Sequence, residues 1–157
     1  MTTILALDLG LHTGWALYRN GKIKSGTEEL KPSRFESQNR RFLRFRRWLE
    51  ETHQKDILSP IDLIFFEAVR AHTAVDAAHA YGGFFATLVT FCEENGIEYE
   101  GVPVQTIKKF ISSKGNAEKI EVIKAVQKLG YNPKDDNEAD AIALILFGLD
   151  KEKLKIN

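Results

Sequence analysis

Two short apolar segments, each ending in a carboxylate, stand out in the hydrophobic pattern of the chain. Residues 4–7 are apolar and precede Asp8, and residues 60–67 form a second, largely apolar run that ends in Glu67. Such runs are typical of buried strands, and a carboxylate there is costly to bury without a partner. Each acid alone could simply cap a turn. If the strands are neighbours, however, the two carboxylates lie side by side and require a cation or raised pKa values.

The rest of the sheet is predicted from alternation and turn signals. Residues 14–19 are interpreted as a second strand, Asn20-Gly21 as a two-residue hairpin turn, and residues 22–30 as the returning third strand. Residues 97–102 follow a helix and should form a strand parallel to the one that ends in Glu67. The predicted fold class is therefore α/β, with an antiparallel three-strand meander and two parallel strands.

A helix is predicted to begin near Pro32-Ser33. Glu36 follows Ser33 by three residues, which is the spacing of a capping box. The apolar residues that recur at helical spacing and should face the core are Phe35, Phe42, Phe45 and Leu49.

Further helices are predicted at residues 77–94, at residues 117–129 and from residue 135 onward. The first of these contains Gly82-Gly83, and each glycine costs a helix about 1 kcal/mol relative to alanine. This cost indicates close approach of another backbone, from a neighbouring helix or from a second subunit.

The last helix supplies a third acidic position. Asp135 and Asp136 suit the capping of a helix N-terminus, but Asp140 lies further in and is flanked by apolar residues. Asp136, Asn137 and Asp140 share one helix face. Together with the two strand-end acids they offer oxygen ligands only, which favours Mg²⁺ first and Mn²⁺ next. Two such ions under shared carboxylates suit in-line displacement at a phosphodiester.

Two basic clusters are candidates for contact with nucleic acid. The first is an arginine-rich helix face: Arg40, Arg41, Arg44, Arg46 and Arg47. Such a face is usually only solvated, but arginine without lysine favours bidentate phosphate contacts. The second cluster consists of the lysines around the loop at residues 112–116: Lys108, Lys109, Lys114 and Lys119. That pattern suits a grip on a phosphate backbone and is equally that of an ordinary exposed loop.

Composition narrows the class of protein. The chain has 157 residues, no net formal charge and one cysteine, Cys92. We expect a single domain spanning residues 1–157, a cytoplasmic location and no membrane association. With no net charge, affinity for nucleic acid has to come from local basic clusters. The spacing of cysteine and histidine residues fits no zinc site.

The motifs together resemble a known family. ILALDLGLHTGWAL, IFFEAV, VPVQTIKKF, SSKGNAEK and DNEADAIAL occur in this order along nearly the whole chain. In the order and spacing of these motifs, the chain is similar to RuvC-type Holliday junction resolvases of the ribonuclease H-like superfamily. The resemblance implies a five-stranded mixed sheet with helices on both faces and a Mg²⁺-dependent endonuclease that cuts four-way DNA junctions. It implies Asp8, Glu67 and Asp140 as metal-binding acids, and Lys108 and Lys119 as lysines near the scissile phosphate.

The chain departs from the family pattern at two positions. Asn137 occupies the place of a fourth ligand that is usually Asp, and Asp136 is the nearby substitute. Arg70 stands where bacterial resolvases carry an aromatic residue, and arginine there could stack or bind phosphate. These departures resemble the phage and prophage branch of the family and leave the cleavage preference open.

Assembly and rival functions follow from the same reasoning. A four-way junction has near two-fold symmetry and needs two cuts, so we expect a homodimer, with the helix around Gly82-Gly83 as the candidate interface. The pattern at residues 8–14 also resembles the phosphate loop of sugar kinases and actin-like ATPases, but 157 residues cannot supply their two domains, so no nucleotide cofactor is expected. The remaining alternatives are a nuclease of this fold for other branched or single-stranded substrates, and a junction-binding protein that has lost catalysis through Asn137.

Overall fold

A single mixed sheet organises the chain. The computed structural model describes residues 2–157. Its strands are β1 (Ile4–Asp8), β2 (His12–Arg19), β3 (Lys22–Glu29), β4 (Leu63–Ala68) and β5 (Glu98–Pro103). They lie in the order β3-β2-β1-β4-β5. The first three pair antiparallel, whereas β4 and β5 are parallel to β1 and to each other. The predicted meander and the predicted parallel half are both confirmed.

Five helices cover the two faces of the sheet. They are α1 (Arg40–Gln54), α2 (Val75–Asn95), α3 (Val104–Ser112), α4 (Lys119–Lys128) and α5 (Asp136–Lys151). Side chains of β1 alternate between two cores: Ile4 and Ala6 pack under α3, α4 and α5, whereas Leu5 and Leu7 pack under α1 and α2. Each face of β1 is thus buried, which explains its continuous apolar run. Within residues 2–157, no helix combines the length and the apolarity needed to cross a bilayer.

The helix predicted from Ser33 begins later, at Arg40. The capping-box contact does form, because the Ser33 amide donates to Glu36 Oε1 at 3.0 Å, but it closes an isolated turn. Phe35 lies in this turn and is 85% exposed, so its assignment to the core is wrong. Phe45 and Leu49, which lie inside the helix, are fully buried as predicted.

The paired glycines of α2 have separate environments. A Cβ on Gly83 would lie 2.3 Å from the ring of Phe42, so Gly83 permits α1 and α2 to pack closely within the chain. A Cβ on Gly82 would meet nothing within 4 Å. A close contact is therefore present at one glycine, and it is made by a side chain of the neighbouring helix α1 rather than by another backbone.

Candidate metal centre

Strand register brings Asp8 and Glu67 together. In the parallel pair of β1 and β4, Leu7 lies opposite Phe66, so one step further along both strands places Asp8 beside Glu67. Alternation then directs both carboxylates to the α5 side, because Ala6 and Phe65, two residues earlier, belong to the core on that face.

The start of α5 brings the third acid to the same point. Gly14 on β2 lies opposite Asp8 on β1, and a Cβ on Gly14 would come within 1.9 Å of the backbone oxygen of Asn137. Only glycine allows the first turn of α5 to lie this close to β2. Oxygen atoms of Asp8, Glu67 and Asp140 consequently all lie within 4.8 Å of one another.

Two part-buried side-chain hydrogen bonds link the N-terminus of α5 to β3. Asp135 is the N-cap residue: it accepts from the Glu138 amide at 2.8 Å and from Thr27 Oγ1 at 2.7 Å. Glu138 is only 6% exposed and accepts from Ser25 Oγ and from the Lys134 amide, both at 2.8 Å. Sequence reasoning anticipated the cap but missed both links to β3. The signal was present in the alternation of β3, which turns two hydroxyl side chains toward α5.

Burial and mutual repulsion dominate the electrostatics of the three acids. Burial, followed by the charges of Glu67, Asp140 and Asp136, holds the pKa of Asp8 well above its usual range. Burial and the charge of Asp140 raise the pKa of Glu67 to about 7. Burial and the charge of Asp136 raise the pKa of Asp140 to about 6. The three acids thus have too little positive charge nearby to balance them, and a bound cation would supply it.

The donor set fits a hard metal ion. Three carboxylates converge from two strands and a helix, and the convergent group contains no histidine or cysteine among the described residues. Clustered carboxylate oxygens are the ligands of hard divalent cations rather than of zinc or copper. The residues present can therefore hold a metal ion, as predicted.

Comparison with known proteins agrees with this arrangement. No protein-family model matches the chain. The chain is 32% identical over 106 residues to the crossover junction endodeoxyribonuclease RuvC of Prochlorococcus marinus strain MIT 9303, a match that covers 66% of this chain and 61% of the relative. It thus spans about three fifths of that relative's length. The RuvC of Synechococcus sp. strain CC9311 is 29% identical over 161 residues, covering 92% of this chain and 96% of the relative.

Solved structures share the fold over most of the chain. Thermus thermophilus RuvC in complex with a Holliday junction substrate has a TM-score of 0.75 at 21% identity and covers 93% of this chain and 92% of its own. A second T. thermophilus RuvC structure has a TM-score of 0.71 at 22% identity, covering 97% of each chain. The chain is similar to RuvC in sequence and in fold. Its fold is ribonuclease H-like, and both the predicted resemblance and the predicted fold class are confirmed.

Two lysines flank the carboxylates of this RuvC-like chain. Lys119 Nζ lies 2.6 Å from Asp136 Oδ2, although the lysine side chain is 77% exposed. This hydrogen bond raises the pKa of Lys119 and lowers the pKa of Asp136. Lys108 lies close enough for its positive charge to offset part of the rise in the pKa of Glu67 and of Asp140. Both lysines are thus within electrostatic reach of the acids, and their place near a scissile phosphate stays a prediction.

Asp136 and Asn137 lie at the first turn of α5. Asp136 is ion-paired with Lys119 and lies outside the group of three converging carboxylates. Asn137 precedes Asp140 by three residues and therefore lies on its helix face. That Asn137 or Asp136 supplies a fourth metal ligand stays a prediction.

The remaining predicted DNA contacts are distributed unevenly around the RuvC-like fold. Lys109 and Arg70 are exposed, and Arg70 follows Glu67 by three residues. Lys114 is paired with Glu121 at 3.1 Å.

The arginine-rich face lies apart from the acids. It belongs to α1, which packs on the opposite face of the sheet from the three carboxylates. Most of its charges already have acidic partners: Glu36 bonds Arg40 at 3.4 Å and Arg44 at 2.6 Å, and Arg46 is paired with Glu94. Arg47 is exposed. The arginine-rich face is therefore not a continuation of the metal centre.

Proposed function

We propose that this chain is a metal-dependent endonuclease that cleaves phosphodiester bonds in branched DNA, with the four-way junction as its main substrate. The observation that carries the proposal is the convergence of Asp8, Glu67 and Asp140 at the α5 side of the sheet. The names of the relatives support the reaction class, since they are crossover junction endodeoxyribonucleases. The structural neighbour in complex with a Holliday junction supports the substrate class.

The metal is Mg²⁺, with Mn²⁺ as a substitute, because the donors are all oxygen. Asp8, Glu67 and Asp140 would hold it, and Asn137 or Asp136 would complete the ligand set. When bound as a pair, such ions supply Lewis-acid stabilisation of the charge that develops during in-line displacement at phosphorus. All three carboxylates are partly buried, and burial raises the pKa of each, so water stabilises their charges less than it does at the surface.

Lys119 and Lys108 are proposed to stabilise negative charge on the scissile phosphate. The ion pair with Asp136 keeps Lys119 protonated and near the acids before DNA binds. An incoming phosphate would compete with Asp136 for this exposed ammonium group. Lys109, Lys114 and Arg70 are proposed to contact the flanking backbone, whereas Arg40, Arg44 and Arg47 would contact DNA only through a separate surface on α1.

Symmetric cutting of a junction requires two active sites related by a two-fold axis. We therefore propose a homodimer. The exposed surface of α2 around Gly82 remains the candidate interface, because no part of the chain covers that position within 4 Å.

The test is a panel of labelled substrates: four-way junction, replication-type fork, linear duplex, single strand and RNA–DNA hybrid. Each is incubated with Mg²⁺, with Mn²⁺ or with chelator, beside the Asp8→Asn variant. We expect paired symmetric nicks on the junction, which disappear with chelator and in the variant.

Other outcomes would separate the alternatives. Equal cutting of forks or hybrids would retain the metal chemistry and contradict the junction as main substrate. Tight junction binding without cleavage in either metal would contradict the nuclease and favour a binding protein in which Asn137 has weakened the ligand set.

A further inference from the structure

A second candidate binding site lies on the face of the sheet opposite the carboxylates. It is a cavity of about 460 Å³ between the β2–β3 hairpin and the C-terminal half of α1. This volume lies within the range of small-molecule pockets, about 300–1,000 Å³. Its β2 wall includes Leu17, which belongs to the core under α1 and α2. The site is thus separated from the metal centre by the thickness of the sheet.

Two indole rings line this cavity. Trp15 projects from β2 and Trp48 from α1, with ring centroids 6.2 Å apart and planes inclined by 49°. Gly26 lies opposite Trp15 on β3, and a Cβ there would come within 3.0 Å of the indole. Glycine therefore lets the Trp15 ring lie against β3. Neither indole is fully buried, so both offer aromatic surface to a planar ligand.

The rim of the cavity is strongly cationic. Lys22 and Lys24 project from the same side of β3, Arg19 from β2, and Lys55 from the end of α1. The opposing carboxylate at this rim is Asp56. Within residues 2–157 none of these four cations forms an ion pair, in contrast to the arginines in the middle of α1. The rim is therefore available to an anionic ligand.

Arg19 shows the same shortage of partners. Its Nη2 makes one long contact of 3.4 Å to the Thr52 oxygen. Its Nε is shielded from solvent and has no hydrogen-bond partner among the described residues. The Arg19 guanidinium is therefore poorly paired within the chain, and a ligand oxygen at its terminal nitrogens would add a hydrogen bond that the chain does not supply.

A second cavity continues the first along α1. It also measures about 460 Å³ and shares Trp48, Thr52 and Lys55 with the first cavity, and its additional acid is Glu51. The two cavities therefore adjoin at Trp48, and we call them together the groove. Two adjoining cavities fit a chain of linked units better than one small molecule.

We propose that this groove binds unpaired nucleotides of single-stranded DNA. Bases would stack on Trp15 and Trp48, and phosphates would contact the lysines and Arg19, which is the combination used by proteins that bind single strands without sequence preference. Duplex DNA keeps its bases stacked internally and cannot use the indoles in this way. The proposal is independent of the metal centre and of the cleavage reaction.

Tryptophan fluorescence tests the proposal directly, because the chain has two tryptophans and both line this groove. The protein would be titrated with oligothymidylate in chelator, so that cleavage is absent. We expect saturable quenching that weakens with salt. An abasic oligomer of equal length should bind at least about fivefold more weakly, since stacking is lost. Thymidine monophosphate should also bind much more weakly than the oligomer.

Matched variants separate the groove from general basicity. The double variant Lys22→Gln, Lys24→Gln should lose most of the affinity, whereas Lys128→Gln, Lys153→Gln removes the same charge elsewhere and should retain it. All four lysines are exposed, so folding is not at issue.

Three results would overturn the proposal. The first is the absence of saturable quenching by the oligomer. The second is equal binding of the abasic oligomer or of the free nucleotide. The third is equal loss of affinity in the two double lysine variants.

Discussion

Replacing Glu67 by glutamine should stabilise the metal-free protein at alkaline pH. The physical reason is that the folded state disfavours ionisation of this carboxyl: burial and the charge of Asp140 raise its pKa from 4.5 to about 7. Glutamine keeps the size of the side chain and removes the charge. In the metal-free protein, the substitution therefore removes a charge that destabilises the folded state.

The sign and size follow from proton linkage. A carboxyl whose pKa is higher in the folded than in the unfolded state loses stability as pH rises from about 4.5 to about 7. Above that window the penalty is on the order of 3 kcal/mol, and at pH 5 it is under about 1 kcal/mol. For a chain of this length the larger value corresponds to roughly 6–12 °C in Tm.

The assay is thermal unfolding of wild type and Glu67→Gln in chelator at pH 5 and pH 8. Glu98→Gln serves as the matched control, because Glu98 is an exposed strand glutamate. We expect Glu67→Gln to be clearly more stable than wild type at pH 8 and nearly equal at pH 5. Added Mg²⁺ should then stabilise wild type more than the variant. A variant that is less stable than wild type at pH 8 in chelator, or equally shifted at both pH values, would refute the reasoning.

Further predictions concern the contacts around the acids. Gly14→Ala should destabilise the protein by at least about 1–3 kcal/mol, because its Cβ would overlap the backbone of α5. Urea unfolding measures this change, and an unaffected Gly14→Ala would contradict the packing. Lys119→Gln should reduce the rate of single-turnover cleavage about a hundredfold. It should change the free energy of unfolding by less than about 1 kcal/mol, since its ion pair is exposed. Lys128→Gln is the control, and equal cleavage rates in the two variants would exclude Lys119 from the reaction. Asn137→Asp should lower the Mg²⁺ concentration at the midpoint of a Tm titration, because it adds a carboxylate to the helix face of the metal centre; an unchanged midpoint would count against Asn137 as a ligand.

The strands and their terminal acids could be predicted because their signal is local. An apolar run that ends in a carboxylate gives both the strand and the position of the acid along it, as at Asp8 and Glu67. Alternation then fixes the face once the neighbouring strand is known. Asp140 could be predicted as a partner only through its unusual place inside an apolar helix. The contact that brings it into position, Gly14 against the backbone of α5, depends on tertiary packing.

The helices were predicted less well because local signals were ambiguous. Ser33 and Glu36 make the hydrogen bond of a capping box without starting a helix. The Glu36 carboxylate also bonds Arg40 and Arg44, which holds this turn against the true start of α1. Phe35 fits the helical spacing of Phe42 only if the helix begins five residues before Arg40. Helix α3 was not predicted, because its segment was considered only for the lysines beside the loop at residues 112–116, although Ile107 packs into the core.

The arginine-rich face shows a different limit. Its composition suggested phosphate binding, but several of its charges are paired with acids. Glu36 and Glu50 lie nearby in the sequence, whereas Glu94, which pairs with Arg46, comes from α2. Pairing across distant segments cannot be derived from a one-dimensional pattern. The same reasoning explains why the cationic groove around Trp48 was not anticipated, since its residues come from two strands and a helix.

The proposed cleavage of a DNA junction depends on the metal that the three converging carboxylates would hold. The most direct test compares Asp140→Asn with Asp150→Asn, an identical change at an exposed position of the same helix. Both variants would be checked for folding by circular dichroism and then incubated with a labelled four-way junction and Mg²⁺. We predict paired symmetric nicks from wild type and Asp150→Asn, and none from Asp140→Asn. Nicking by Asp140→Asn at the wild-type rate would contradict the assignment of the metal centre.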